Sequence, residues 1–260
     1  MIRYISKRPF VFVIVLILMA LCLLYIGGCS NKPGSNEESP AKKSGVVEMK
    51  LKNIEGVNIA WLGHASFMIK DSKTIYIDPF QLPNNLEKAD LLLITHEHYD
   101  HCSISDINKI VKPETIIVTV PDCQSKLSGL KVANVTLVRP GNKLNVRGTM
   151  IEAVPSYNTN KKFHPKDNEW VGFIITVNGK RIYHAGDTDA IPEMKSLSNI
   201  DIALVPVSGT YVMTAEEAAK AVNEFKPKTA VPMHYGSIIG NASDAQKFKS
   251  LAKVPVVIFE

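Results

Sequence analysis

Thr95-His96-Glu97-His98-Tyr99-Asp100-His101 follows directly on an unbroken apolar run, Leu91-Leu92-Leu93-Ile94. A short apolar run of this kind reads as a buried strand, so three imidazoles and a carboxylate crowd onto the chain just past a strand's carboxyl end. In open α/β architectures that is where sites form. The order of residues matters. Alternate side chains on extended backbone point the same way, so His96 and His98 can share one metal ion. Asp100 and His101, after the chain turns, can aim at a second ion nearby. Imidazole and carboxylate ligands suit zinc, with manganese or iron as alternatives, and an open coordination position leaves room for a reactive water. Two divalent cations, zinc first, are therefore the expected cofactors.

Outward from this stretch the chain reads as strands with helices between them. Strands are expected at 57–61, 66–70, 74–78, 89–95, 116–120, 135–138, 144–147, 149–154, 171–177, 180–184, 202–207, 230–233 and, to close, 255–259. Ser103 to Val111 has helical spacing and stops before Pro113, and 122–129 reads as a short helix. Thr214-Ala215-Glu216-Glu217 has the form of a capping box and opens a helix to about Phe225, ahead of Pro227. A last helix is expected over 243–252. Strands dominate each half, which suggests two packed sheets with helices outside them, an α/β (α+β) fold of four αββα layers; a simpler α+β domain also fits.

The N-terminal portion has a different texture. Arg3, Lys7 and Arg8 precede an apolar run from Phe10 to Ile26, and Gly27-Gly28-Cys29 follows. A basic flank, an apolar stretch and small residues at its exit are the marks of an export signal. Ile26-Gly27-Gly28-Cys29 resembles the bacterial lipobox, which implies lipidation at Cys29 and a membrane anchor outside the cytoplasm; an uncleaved anchor or an ordinary signal peptide are the other readings. Residues 1–28 are thus the expected signal peptide, 29–48 a flexible polar tether and 49–260 the functional domain. The leader takes three of the 30 basic residues and none of the 25 acidic ones, leaving 27 against 25. That balance gives no reason to expect nucleic acid as a partner. Cys102 and Cys123 are the two cysteines of the domain, and the sequence leaves open whether they pair.

Thr95 to His101 carries the His-x-His-x-Asp-His pattern and resembles the signature of the metallo-β-lactamase superfamily. Ile75-Tyr76-Ile77-Asp78-Pro79 resembles that family's early strand ending in Asp, Tyr183-His184-Ala185-Gly186-Asp187-Thr188 its Gly-Asp-Thr segment, and Val231-Pro232-Met233-His234-Tyr235 the closing segment that supplies the last His. The likeness runs over roughly residues 55–260 and implies a metallo-β-lactamase-type αββα sandwich acting as a metal-dependent hydrolase on a small-molecule substrate. The wording around Trp61-Leu62-Gly63-His64 and His184-Ala185-Gly186-Asp187 is similar to a branch of metal-dependent hydrolases related to L-ascorbate-6-phosphate lactonase and N-acyl-phosphatidylethanolamine phospholipase D. That likeness favours a lactone or a phosphodiester as the bond cleaved.

The resemblance implies His96, His98, Asp100, His101, Asp187 and His234 as ligands, with Asp187 bridging the two ions. One position departs from the pattern. The third His expected for the first metal is missing from Ala153-Val154-Pro155-Ser156-Tyr157-Asn158, and only His164 lies in the interval. Either a loop carries His164 back to the metal, or the first metal has fewer protein ligands, or the site works with one ion. Asp100 and Asp187, beyond ligation, are placed to orient the nucleophile or pass a proton to the leaving group. His64 can contact the substrate or the reactive water, or simply hold a turn. Asp78 is expected to support a ligand His through a hydrogen bond, and His184 to be structural. Lys161, Lys162 and Lys166 flank His164 and read as a solvated loop in preference to an anion site. A non-catalytic metal-binding or sensing lipoprotein is the rival reading, and the missing His is its best support.

Overall fold

The computed structural model describes residues 49–259; the segments expected to be a signal peptide (1–28) and a tether (29–48), with the expected lipidation site at Cys29, lie outside the described residues. The first sheet comprises β1 (Lys52–Ile54), β2 (Val57–Gly63), β3 (Ser66–Lys70), β4 (Thr74–Ile77), β5 (Leu91–Ile94), β6 (Ile116–Thr119) and β7 (Asn134–Leu137), side by side in chain order. The second comprises β8 (Lys143–Val146), β9 (Thr149–Pro155), β10 (Val171–Val177), β11 (Lys180–His184), β12 (Ile202–Pro206) and β13 (Thr229–Met233), again in chain order. Each sheet starts as an antiparallel meander and turns parallel, from β4 to β7 in one and from β11 to β13 in the other. Parallel neighbours need a crossover, and helices lie in four of the five: α1 (Ile104–Ile110) between β5 and β6, α2 (Gln124–Leu127) between β6 and β7, α3 (Pro192–Lys195) between β11 and β12, and α4 (Ala215–Phe225) between β12 and β13. Residues 78–90 join β4 to β5 without a helix, and α5 (Ala242–Leu251) follows β13.

Burial along the central strands explains the layering. Every residue of β5, β12 and β13 is buried, so each of these strands is covered on both faces, by the other sheet and by helices. α4 lies on β12 and α5 on β13. One continuous core, from Ile54 to Phe259, joins the two sheets. The arrangement is the four-layer αββα sandwich.

Local signals placed most element ends. Thr214 caps α4 in a complete capping box with Glu217, and Asn241 with Asp244 does the same for α5. Three features differ from expectation. Residues 255–259 form no strand: only an isolated parallel bridge joins Ala230 to Val256, held by Ala230 N–H to the Pro255 carbonyl at 2.9 Å and Val257 N–H to the Ala230 carbonyl at 3.0 Å. The ladder stops there because Pro255 on one side and Pro232 of β13 on the other have no N–H to extend it. β1 and the single-turn α3 are additions to the expected set. Cys102 and Cys123 are both buried free thiols.

One buried carboxylate fastens the segment leading out of β4. Asp106, in the first turn of α1, accepts hydrogen bonds from the Gln81 and Leu82 N–H groups at 2.9 and 3.0 Å and from Ser103 Oγ at 2.6 Å. Burial opposes its ionisation, but Lys109, Ser103 and the two backbone donors outweigh that and hold its carboxyl below the ordinary range. A carboxyl whose pKa is lowered by folding contributes stability at neutral pH that is lost as pH falls through its folded value. Asp106→Ala is therefore expected to lower the unfolding free energy by about 2 kcal/mol at pH 7. In urea melts the gap to wild type should narrow below about pH 4.

Candidate metal centre

The site sits where the carboxyl ends of β4, β5, β11 and β13 and the loops leaving β2, β9 and β12 converge. Its ligating atoms fall into three overlapping groups, each with atoms within 4.8 Å of one another: His96, His98 and His164; His64, Asp100, His101 and His234; and His96, His101 and Asp187. Asp187 lies between the first two sets. Its Oδ2 is 3.3 Å from His164 Nε2 and 3.0 Å from His234 Nε2, and its Oδ1 is 3.3 Å from His101 Nε2.

The loop after β9 brings His164 back. The Asn158 N–H donates to the His164 carbonyl at 2.7 Å, and Asn158 Oδ1 meets His164 Nδ1 at 2.9 Å. The excursion from Thr159 to Phe163 thus closes on itself and delivers an imidazole to the place that the strand leaves empty. The departure in the sequence is a change of route, with the same kind of side chain at its end.

Four of the rings, His96, His101, His164 and His234, are held by the far nitrogen. His101 Nδ1 is 2.7 Å from Asp78 Oδ2, a buried carboxylate that also accepts from Thr95 N–H at 2.8 Å and from Thr95 Oγ at 2.7 Å. His96 Nδ1 meets Thr95 Oγ at 2.9 Å, and His234 Nδ1 meets Ser208 Oγ at 3.0 Å. Fixing one nitrogen leaves the other aimed into the site, as supporting groups do around ligating histidines. Trp170 walls the first group, with ring centroids 4.8, 4.8 and 5.6 Å from His96, His98 and His164, and Asp122 anchors it through Nε1 at 2.8 Å. His184 faces away: its Nε2 is 2.8 Å from the Ala65 carbonyl, and the Gly186 N–H donates to its Nδ1 at 3.2 Å. It steadies the turn before Asp187.

His64 is drawn further in than its sequence implied. Its Nε2 is 2.9 Å from Asp100 Oδ2, and its ring lies 3.9 Å from that of His234. The Trp61 indole donates to the His64 carbonyl at 2.9 Å, and the same carbonyl accepts from His234 N–H at 2.8 Å. His64, Asp78 and His234 all have positive φ, at 51°, 45° and 61°. This left-handed backbone is uncommon for such residues and tends to gather at functional sites. Gly186 also has positive φ, 64°, and a Cβ there would come within 3.0 Å of Ser156 Oγ and of the Val171 carbonyl, so only glycine fits.

Charge balance in the cluster follows from burial. Burial works against ionising Asp187, but His101 and His234 beside it hold its carboxyl well below the usual carboxylate range. Burial likewise opposes protonation of His101, and the Asp187 and Asp78 carboxylates raise it well above an ordinary imidazole. Burial lowers His96. Asp100 is brought down to about 2, against the effect of burial, by its contact with His64.

Three atoms show what the cluster is built to hold. His101 Nε2, His164 Nε2 and Asp187 Oδ1 are buried and have no aligned hydrogen-bond partner, although each is close to another ligand. Orphaned buried polar atoms are costly and rare, and here they converge with further imidazole nitrogens and carboxylate oxygens. The donor set fits divalent cations. His96, His98 and His164 would hold one, Asp100, His101 and His234 with His64 alongside would hold another, and Asp187 would lie between them.

Comparison with known proteins agrees with this chemistry. The family model described as Beta-lactamase superfamily domain matches residues 58–234. A UPF0173 metal-dependent hydrolase of Pyrococcus abyssi is 36% identical over 219 residues, covering 78% of this chain and 96% of that one. The corresponding protein of Thermococcus onnurineus is 37% identical over the same length and coverage. Among solved structures, a candidate metal-dependent hydrolase of Parabacteroides distasonis aligns with a TM-score of 0.71 at 35% identity, covering 81% of this chain and 97% of that one. Igni18, a metallo hydrolase from Ignicoccus hospitalis, aligns at 0.62 and 27%, covering 78% and 95%. The fold and site define a metal-dependent hydrolase. This chain belongs to the metallo-β-lactamase superfamily and, within it, to the UPF0173 metal-dependent hydrolases.

If Asp78 orients His101, then Asp78→Asn leaves a folded protein with weaker metal binding. Affinity is expected to fall by 10- to 100-fold, on the order seen when such supporting groups are lost. Competition of each protein against a chromogenic chelator, with circular dichroism to confirm folding, checks this.

Proposed function

We propose that this metal-dependent hydrolase cleaves an ester-type bond, a lactone or a phosphodiester, using two divalent cations, zinc in the first instance. The observation that carries the reading is that the buried, unpartnered His101 Nε2 and His164 Nε2 approach Asp187 from two sides, each 3.3 Å from one of its carboxylate oxygens. When bound, divalent cations make a water reactive near neutral pH and draw charge from the bond under attack. The residues of the chain do the remaining work. Asp187, fully enclosed among imidazoles, is positioned to orient the nucleophile. Asp100 is partly open to the cavity, at 13% side-chain exposure, and can pass a proton to the leaving oxygen. His64, hydrogen-bonded to Asp100, is placed to tune that transfer. The sequence likeness to the ascorbate-phosphate lactonase and phospholipase D branch supports an ester-type bond.

The return of His164 removes the main ground for a non-catalytic metal sensor, since the first set has its three imidazoles. We further propose that the hydrolase works outside the cytoplasm, anchored through a lipid on Cys29, with residues 29–48 as its tether. What supports this is the run Arg3 to Cys29 in the sequence.

Two measurements test the reading. The purified chain should carry two equivalents of zinc by plasma mass spectrometry, and it should hydrolyse a simple lactone or bis-p-nitrophenyl phosphate. Chelation and Asp100→Ala should each abolish turnover; metal-free protein, or turnover that survives both, refutes the proposal. Cys29→Ser should shift the protein from the membrane pellet to the soluble fraction of fractionated cells.

A further inference from the structure

Large apolar side chains scattered singly over a surface need no explanation; a cluster at the mouth of a site does. Of the seven such side chains that stand exposed among the described residues, three meet at the opening above the metal ligands: Tyr99, Phe163 and Ile238. Tyr211 joins them, edge-on to Phe163 with ring centroids 4.7 Å apart. The four come from separate segments. Tyr99 sits inside the metal motif, Phe163 on the loop that returns His164, Tyr211 on the loop after β12, and Ile238 on the loop after β13. They surround an open cavity of about 210 Å³ whose floor is the ligand cluster.

Among the described residues, no Lys or Arg lines the cavity. The nearest cationic loop is already neutralised in part: Lys161 pairs with Asp189, and Lys166 lies 3.2 Å from Glu193. Lys162 is exposed on that loop and does not line the cavity. A pocket made for a phosphorylated sugar or another anionic body would be expected to carry such a clamp beyond its metals. This one instead offers aromatic and aliphatic surface right beside the chemistry.

We propose that the substrate is a neutral carboxylic ester or lactone whose apolar chain or ring lies on Tyr99, Phe163, Tyr211 and Ile238. The inference rests on the ester-hydrolysis reading above and narrows it. The carbonyl faces the His/Asp cluster while the apolar body fills the mouth. In the reaction the water oxygen bonds to the carbonyl carbon and the carbon–oxygen bond to the alkoxy group breaks. One water proton ends on that alkoxy oxygen and the other leaves as the product ionises to a carboxylate. Apolar surface of substrate and mouth leaves water together on binding, so binding strength should grow with the apolar area of the substrate.

The test uses the full metal-loaded chain and p-nitrophenyl esters from acetate to octanoate, with bis-p-nitrophenyl phosphate beside them. kcat/KM is expected to rise about 10-fold or more from acetate to octanoate. Phe163→Ser should cut the octanoate-to-acetate ratio several-fold. Independently of turnover, saturation-transfer NMR should show octan-1-ol contacting wild type through its methyl end, and Phe163→Ser should lose that contact. Ester hydrolysis with a flat chain-length series, or a preference for the phosphodiester with no octanol contact, overturns this inference and leaves the ester-type reading standing. Octanol contact without hydrolysis of any ester or phosphodiester overturns the ester reading and leaves the apolar mouth standing.

Discussion

Everything at the site depends on keeping Asp187 ionised while it is 3% exposed. An isolated carboxylate in such surroundings would cost far more than a fold of this size can spare. The chain meets that cost by surrounding Asp187 with His101, His164 and His234, and by holding each ring from behind with Asp78, Asn158 and Ser208. Imidazoles placed this way serve two ends. They can share a proton with the carboxylate, as the raised His101 indicates, or give their lone pairs to a cation that takes over the neutralisation. The same geometry therefore supports folding and metal binding.

The two sheets make that convergence possible. β5 delivers His96 to His101 and β11 delivers Asp187, one from each sheet, and the sheets share a single core. Because β5, β12 and β13 are buried on both faces, the loops at their carboxyl ends leave the sandwich at fixed positions. Three residues of the site, His64 after β2, Asp78 after β4 and His234 after β13, have left-handed backbone. The hydrogen bond from His234 N–H to the His64 carbonyl ties the loop after β2 to the end of β13. A residue from the first sheet and one from the second are thus locked as neighbours, which a looser turn would not guarantee.

Most of this was legible where the signal is local. Period-two and continuous apolar runs marked β3, β10, β11 and β12 to within about a residue and β5 to within two, and Thr214 with Glu217 marked the start of α4. The ligand motif was readable because its residues are consecutive. His164 was readable only as a residue type, since whether a loop folds back depends on Asn158 closing it, and one side-chain hydrogen bond leaves no periodic trace. Trp170, Ser208 and Tyr211 gave no signal at all: each acts across a distance in sequence that only the packed sheets shorten. The strand expected at 255–259 failed for the opposite reason. Its apolar residues do pack against the core, but Pro255 and, on β13, Pro232 lack the N–H groups that a ladder requires on either side of the single bridge.

That contrast bears on what a site of this family can vary. The ligands and their supports are bound to one another by short hydrogen bonds, so a change in one unsettles several. The apolar mouth has no such coupling: Phe163, Tyr211 and Ile238 ride on loops, touch solvent, and form no hydrogen bonds through their side chains in the described residues. Chemistry is therefore fixed by the buried floor while selectivity rests on parts that can change without disturbing it. Phe163 is the exception that joins the two, because it immediately precedes His164. A shift of that loop to suit a new substrate would move a metal ligand as well, so the side of the mouth built by Phe163 should be the least free to diverge.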